Sequence, residues 1–349
     1  MSAIRVGQRF VGEGWPCFLA AEIGINHNGD LNLAHRCIDA AAEAGADAVK
    51  FQNYRTEDFL SSRSLMYEYV SQGRTLSESQ YDMFKRCELP PGSLRELREH
   101  CDRRNVIFFS TPSSEQGLQD LAELGVPLLK NGSDYLVHLP LIQAMARTRI
   151  PTVLSTGMAV YADIEDAVNA FRQAGGKDLV LLHCTSAYPT PPEDVHLRKL
   201  PALADAFGCP AGLSDHSCGN VAAIGAVALG ACMIEKHFTL DMNLPGPDHR
   251  FSADPGEFRG LVEAVRTMEK NLGSPELKPV KSEESGRREY RLSCVAAHDL
   301  PAGHSVATSD IAFCRPGYGF PPKNFGMLLN RQLNKEIPTG HVFAPEDFA

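Results

Sequence analysis

Between residues 17 and 272 the chain repeats one unit: a short apolar run, a turn rich in Gly, Ser, Thr or Asn, then a segment with helical apolar spacing. Apolar runs over 17–25, 46–51, 106–109, 127–130, 151–154 and 179–183, and the runs before Ser214 and His237, read as buried strands. Segments 31–44, 92–103, 115–124, 139–147, 164–173, 198–207, 221–230 and 255–272 read as the intervening helices. Eight such units in about 250 residues have the number and size of a closed (β/α)8 TIM barrel, an α/β fold. A doubly wound open sheet is the competing topology, but no G-x-G-x-x-G follows the first strand. The connection 53–89 is unusually long and is expected to carry short helices.

Side chains at the carboxyl ends of barrel strands carry the chemistry of this fold. Strands three to seven finish in Ser110-Thr111, Ser133, Ser155-Thr156, Thr185-Ser186 and Ser214. One such hydroxyl is an ordinary turn residue, whereas five in register suit a bound phosphate without adding charge. Lys50 and Lys130 each follow apolar strand residues, which places two cations in the same ring. The last two strands end at His216 and His237. On neighbouring parallel strands both imidazoles leave one edge of the sheet close together. That arrangement fits a divalent-metal site with open positions, and it fits equally two histidines hydrogen-bonded locally.

A net charge of −9 argues against nucleic acid as the main partner, because phosphate backbones call for a basic face. The ten cysteines include no C-x-x-C pair, and those in apolar runs, such as Cys17, Cys184 and Cys232, read as reduced core thiols of a cytoplasmic protein. No secretory leader or membrane-length apolar run is visible. The barrel is expected over 1–272, a polar linker over 273–290, and a small mixed domain over 291–349 whose apolar runs are broken by P-A-G, R-P-G-Y-G and I-P-T-G. A domain of that size is marginal by itself.

Taken in order, A-E-I-G-I-N-H-N-G (21–29), D-A-V-K-F-Q (47–52), L-S-T-G-M (154–158), H-C-T-S-A-Y-P (183–189), G-L-S-D-H (212–216), E-K-H-F-T (235–239) and P-G-P-D-H (245–249) resemble the sialic acid synthases. Those enzymes condense phosphoenolpyruvate with an N-acetylated hexose. The tail, from V-A-A-H-D-L-P-A-G through C-R-P-G-Y-G to I-P-T-G, resembles the antifreeze-like (SAF) domain attached to their barrels. The resemblance implies that His216 and His237 hold a divalent metal, typically manganese. It implies that Lys50, Thr111, Ser133, Ser155, Ser186 and Ser214 surround phosphoenolpyruvate, with Lys130 adding charge. Glu22, Gln52, Tyr188 and Asp248 would orient the open-chain sugar, with Glu22 and Lys50 as the catalytic candidates. Read without the resemblance, Glu22 and Asp248 are solvated strand-end carboxylates. Arg315 of the R-P-G motif would contact the sugar's N-acetyl group in the partner chain's site, within a domain-swapped homodimer; read alone, it is a solvated arginine on a turn.

The chain departs from the pattern in places. Ser186 stands where the N-acetylneuraminate enzymes usually carry Asn, Asn131 follows Lys130 where an apolar residue is common, Asp134-Tyr135 follows G-S, and Tyr318 sits in R-P-G-Y-G where a small or polar residue is typical. The acceptor is therefore open. N-acetylmannosamine comes first, then the 2,4-diacetamido-trideoxy sugars of the legionaminate and pseudaminate branches, and a phosphorylated sugar last. Two rival readings remain: a metal-dependent keto-acid aldolase on the same barrel, and a sugar-binding protein without activity.

Overall fold

The computed structural model describes residues 3–349, which form two compact units that divide between Gly273 and Ser274. In the first, eight parallel strands close into a barrel. They are β1 Phe18–Gly24, β2 Ala48–Asn53, β3 Ile107–Pro112, β4 Leu129–Asn131, β5 Thr152–Ser155, β6 Leu179–Cys184, β7 Ala211–Asp215 and β8 Met233–His237. Each pairs with its successor, and β8 pairs back onto β1. Eight helices follow them in turn: α1 Leu31–Glu43, α2 Ser93–Arg103, α3 Glu115–Leu124, α4 Leu139–Thr148, α5 Tyr161–Gln173, α6 Lys199–Phe207, α7 Val221–Ala228 and α8 Pro255–Leu272. Asp30, Ser114 and Asp254 cap α1, α3 and α8 by accepting first-turn backbone N–H groups. No helix among the described residues is long and apolar enough to cross a membrane.

Strand alternation sorts the core into two layers. Outward residues such as Leu19, Ala21, Val49, Phe51, Phe108, Leu154, Leu181, Leu213 and Ile234 are buried in the core beneath the helices. Inward residues near the strand starts, Phe18, Ala20, Ala48, Phe109, Leu128, Val153, Leu182 and Met233, form an apolar plug. An antiparallel hairpin, Ile4–Val6 with Arg9–Val11, adds Ile4, Val6 and Val11 to that plug. In β7 the inward place belongs to Gly212, where an added Cβ would lie 2.3 Å from the Met233 carbonyl oxygen. Two residues further along each strand the next inward side chain faces the open end. Those residues are Glu22, Lys50, Thr111, Lys130, Ser155, Cys184, Ser214 and Glu235. The site is the polar layer above an apolar plug.

The connection 53–89 differs in its middle from the expectation of short helices alone. Helices Thr56–Phe59 and Gln80–Cys87 do occur at its ends, but between them Met66–Ser71 pairs antiparallel with Arg74–Ser79. Gln72 and Gly73 at the tip both have positive φ, the conformation a two-residue hairpin turn requires. The strands alternate tyrosine, valine and leucine with polar residues, too sparsely for an apolar period to announce them.

The second unit pairs Ser293–Ala296 with Ile311–Cys314 over a small core that includes Cys294, Leu300, Val306, Leu333, Phe343 and Phe348. One turn occurs in it twice, as P-A-G-H-S-V-A-T-S-D (301–310) and P-T-G-H-V-F-A-P-E-D (338–347). In the first, Asp310 pairs with His304 at 2.7 Å and accepts the Ala307 N–H at 2.8 Å. In the second, Asp347 pairs with His341 at 2.9 Å, with Lys335 at 2.7 Å, and accepts the Ala344 N–H at 2.7 Å. Burial alone would raise both carboxyls, but these partners hold them below the ordinary range. A carboxyl lowered in the folded state stabilises above its unfolded value and loses that contribution as pH falls through the folded one. Asp310→Asn and Asp347→Asn are therefore expected to lower the melting temperature of this unit at neutral pH, with the gap from the parent shrinking below about pH 4. Thermal melts of the full chain across pH check this; a gap that does not change with pH would show that the carboxylates' charge is not what stabilises the turns.

Candidate active site

At the carboxyl ends of the strands lies a cavity of about 410 Å³. Every candidate from the barrel lines it: Glu22, Lys50, Gln52, Thr111, Lys130, Ser133, Ser155, Ser186, Tyr188, Ser214, His216, His237 and Asp248. Arg315 belongs to the other unit, just after the strand Ile311–Cys314.

Four buried charges form the floor. The Lys50 ammonium is 2.9 Å from Glu22 and 3.7 Å from Glu235, and Lys130 is 3.5 Å from the same Glu235 oxygen. Lys50 also donates to Thr111 at 3.3 Å, Ser214 to Glu235 at 3.2 Å, and Gln52 to Glu22 at 3.3 Å. Burial disfavours charge on all four groups, and the neighbours decide which keep it. On Lys50 the two carboxylates outweigh burial and raise the pKa, whereas on Lys130 burial prevails over Glu235 and lowers it. Burial would raise Glu235, but Lys130 and Lys50 hold it low. Burial raises Glu22 against the pull of Lys50, with Glu235 adding to the rise. Of the two carboxyls, Glu22 is the one inclined to hold a proton.

Around this floor stands the hydroxyl ring. Ser133 accepts the Gly157 N–H at 3.0 Å, and an added Cβ at Gly157 would lie 2.7 Å from the Ser133 hydroxyl. The doubled hydroxyls at the strand ends divide their tasks. Ser110 donates to the Phe51 carbonyl, Thr156 to Leu182 and Thr185 to Asp194, stapling backbone to backbone. Thr111, Ser155 and Ser186 are the members that line the cavity. The Ser155 and Ser186 hydroxyls, one oxygen each of Glu22 and Glu235, and His237 Nδ1 are buried without a hydrogen bond. Buried polar atoms are nearly always paired, so such a cluster in one cavity marks a place built for a polar ligand.

The histidine edge lies beside the floor. The rings of His216 and His237 are 5.3 Å apart, with Tyr188 4.3 Å from His216 and Phe251 5.0 Å from His237. Nδ1 of His216 donates to the Thr185 carbonyl at 2.9 Å, so Nε2 is the nitrogen that the neutral ring leaves open. Burial, helped by the nearby cations, pushes His237 well below its ordinary value, so it is neutral. Asp248 comes within 3.6 Å of His237, and burial together with the charge of Glu22 pushes its carboxyl up to about 7. Among the described residues no group of three or more His, Cys, Asp or Glu is set to hold a metal by itself. A neutral imidazole that makes no hydrogen bond, beside a second one, fits a divalent metal that takes its other ligands from water and substrate. The expectation that Cys184 is a plain core thiol needs correcting: it is buried, but it lines the cavity, 3.9 Å from His216 Nδ1.

Residues 37–276 match the NeuB family. The chain belongs to it. The chain is 38% identical over 333 residues to an N,N'-diacetyllegionaminic acid synthase of Legionella pneumophila, covering 94% of each. It is 35% identical over 335 residues to a pseudaminic acid synthase of Helicobacter pylori, covering 95% of this chain and 98% of that one. The crystal structure of an N-acetylneuraminic acid synthetase from Leptospira borgpetersenii superposes with a TM-score of 0.74 at 36% identity, over 82% of this chain and 95% of the other. The relatives of this NeuB chain thus make sialic, legionaminic and pseudaminic acids.

Two groups of site residues in this NeuB barrel were not singled out from sequence. Glu235 stood inside E-K-H unassigned, although the two-residue strand period puts it on the same face as His237. The other group, Tyr54, Phe59, Tyr67, Met83 and Phe84, comes from the 53–89 connection and lines the cavity mouth.

Behind the histidines, on the outer face of the same two strands, sits a fully bonded ion pair. Lys236 donates to Asp215 and to the Ser217 carbonyl, each at 2.8 Å, while Asp215 accepts the Ser217 N–H and hydroxyl. Removing one partner strands a buried charge at a cost of about 3–5 kcal/mol, whereas replacing both with apolar residues is often neutral. Lys236→Met is expected to destabilise the barrel by about that much, and the double variant Asp215→Leu, Lys236→Met by clearly less. Denaturant titrations of the parent, both single variants and the double variant check this; a double variant no better than the worse single one would show that the pair holds the strand ends by shape rather than by charge.

Proposed function

We propose that this enzyme condenses phosphoenolpyruvate with an N-acetylated hexose, releasing phosphate and giving a nonulosonic acid. What carries the reading is the floor: two buried ammoniums beneath unpartnered serine hydroxyls, beside two imidazoles, in a member of the NeuB family. Lys50 and Lys130 hold the carboxylate and phosphate of phosphoenolpyruvate by charge-assisted contacts. Thr111, Ser133, Ser155, Ser186 and Ser214 complete the anion's hydrogen bonds. Gln52, Tyr188 and Asp248 orient the sugar hydroxyls. A divalent metal held by His216 and His237, manganese in the first place, would supply Lewis-acid polarisation of the sugar aldehyde. Carbon three of phosphoenolpyruvate forms the new bond to that aldehyde carbon, water adds at carbon two, and phosphate leaves by C–O cleavage. Glu22 manages the proton of the water or of the new hydroxyl, as its raised pKa suits.

N-acetylmannosamine is the first acceptor to test, and a 2,4-diacetamido-trideoxy hexose the second, supported by the identity to the legionaminic acid synthase. With manganese and phosphoenolpyruvate, one of these sugars is expected to release inorganic phosphate in step with keto-acid product. A chelator should abolish the release, manganese should restore it, and His216→Ala or His237→Ala should not be rescued. Keto-acid cleavage to pyruvate without phosphate would establish the aldolase in place of the synthase, and full turnover in chelator would remove the metal.

The assembly belongs to the same proposal. The small second unit is read as an SAF domain that lies over the barrel mouth of a partner in a domain-swapped homodimer, where Arg315 contacts the sugar's acetamido group. An Arg315→Ala chain and a His216→Ala chain are each expected to be nearly inactive. Co-folded, they should regain part of the activity, because one heterodimer site combines an intact His216 with the partner's intact arginine. If no activity returns, Arg315 serves its own barrel or none.

A further inference from the structure

Resting on the synthase reading, we propose that Asn26 and Asn28, the asparagines of the N-H-N-G turn after β1, are positioning residues for the acceptor: they hold Asp248 at the cavity without touching substrate themselves. The segment that carries Asp248, between β8 and α8, contains one short 3-10 turn, His249–Phe251, and closes on itself where Phe238 pairs with Ala253. Asp248 lines the cavity 3.6 Å from His237, which is beyond hydrogen-bond distance. Its placement therefore comes through its backbone. Asn26, Asn28, His249 and Ser252 stand behind the cavity rather than in its lining.

Asn26 is buried, and its side-chain amide spends both hydrogens on this segment. One goes to the Phe238 carbonyl and the other to the Ser252 hydroxyl, each at 2.9 Å, and Ser252 donates in turn to the carbonyl of Asp248 itself at 2.6 Å. The Phe238 carbonyl can only accept, so the amide nitrogen faces it, and the Asn26 carbonyl oxygen is left buried without a hydrogen bond. An apolar side chain would avoid that loss; what asparagine adds is its two donors. Asn28 holds the flanks. It donates to the Pro245 carbonyl at 2.8 Å and faces His249 Nε2 at 3.3 Å. The Thr239 hydroxyl donates to the Asp241 carbonyl at 3.1 Å, so it accepts from His249 Nδ1 at 2.7 Å, which leaves Nε2 as the acceptor for Asn28. Burial, which pushes His249 down to about 4, keeps the ring in that neutral form. Asp248 is thus bracketed at Pro245, at His249 and at its own carbonyl. Lys50, Thr111, Lys130, Ser155 and Ser214, read above as the phosphoenolpyruvate side, stand on β2, β3, β4, β5 and β7, outside this network. The network therefore serves the acceptor half of the site alone.

The test follows phosphate release by the full chain with manganese and phosphoenolpyruvate, using whichever of the two acceptors named above turns over faster. The variants are Asn26→Leu, close in shape but without donors, the milder Ser252→Ala, and the two combined. Asn26→Leu is expected to lower kcat/KM for the acceptor roughly tenfold to a hundredfold, mostly through KM, because small displacements of a substrate-orienting group cost that much. The KM for phosphoenolpyruvate and the manganese concentration for half-maximal turnover should stay within about twofold, which is less than the loss of any direct contact. Ser252→Ala should move the acceptor KM in the same direction by less. The combined variant should be no worse than Asn26→Leu, since both residues act along one chain of bonds. If Asn26→Leu does not fold, Ser252→Ala decides by the same split. An unchanged acceptor KM, or equal losses for acceptor and phosphoenolpyruvate, overturns the inference and leaves the synthase standing. A matching rise in the manganese requirement also overturns it, because Asn26 would then act on His237 through Phe238 rather than on Asp248. Phosphate release by the parent chain from neither acceptor overturns the synthase reading and the inference with it.

Discussion

Two ammonium groups buried in one barrel, each closer than 4 Å to the same carboxylate, are the constraint around which the first unit is arranged. Taking each such ion out of water costs several kcal/mol, and only close counter-charges and hydrogen bonds offset it. The Glu22–Lys50–Glu235–Lys130 cluster meets that demand with neighbouring strands: Glu22 and Lys50 are register partners across β1 and β2, and Ser214 and Glu235 across β7 and β8. The apolar plug below gives the cluster a dry floor, and the outer pair Lys236–Asp215 holds the strand tips that carry His216 and His237. A shift of one residue in any of these strands would turn the polar layer outward and the apolar layer into the cavity.

The barrel was legible because most of its strands open on an apolar run, as buried parallel strands do, and most of its helices keep a 3.6-residue period. Helix α3 runs over the residues its pattern indicates, because Ser114 caps its start and Gly125 its end. The hairpin around Gln72-Gly73 was not legible. Its burial comes from residues distant in sequence, such as the contact from Gly246 to Ser71, and no local period reports such a contact.

The candidate site divides in the same way. Lysines and histidines at strand ends announce themselves because a charge after an apolar run is rare. Hydroxyls do not. Ser110 and Thr111 are neighbours in sequence, yet only the second lines the cavity, and the pleat alone decides between them. Glu235 was hidden for the opposite reason: a carboxylate next to Lys236 reads as an ordinary local pair, whereas the strand sends the two side chains to opposite faces. Lys236 meets Asp215 outside, and Glu235 meets Lys50 and Lys130 inside.

The charge balance of the floor explains why the ring above it is built from serines. With both lysines and both glutamates ionised the four floor charges cancel, so the floor by itself offers an anion such as phosphoenolpyruvate no net attraction. Further lysines would strengthen the attraction, but each would need its own counter-ion before substrate arrived, and the cavity would again be neutral. Hydroxyls avoid that circle. Ser155 and Ser186 present hydroxyl dipoles that carry no charge to neutralise in the empty site and turn toward negative oxygen when it comes. In the proposed reaction, anion binding at this barrel mouth thus depends as much on neutral donors as on the lysines. That is the physical sense of a strand-end layer in which serine and threonine outnumber lysine.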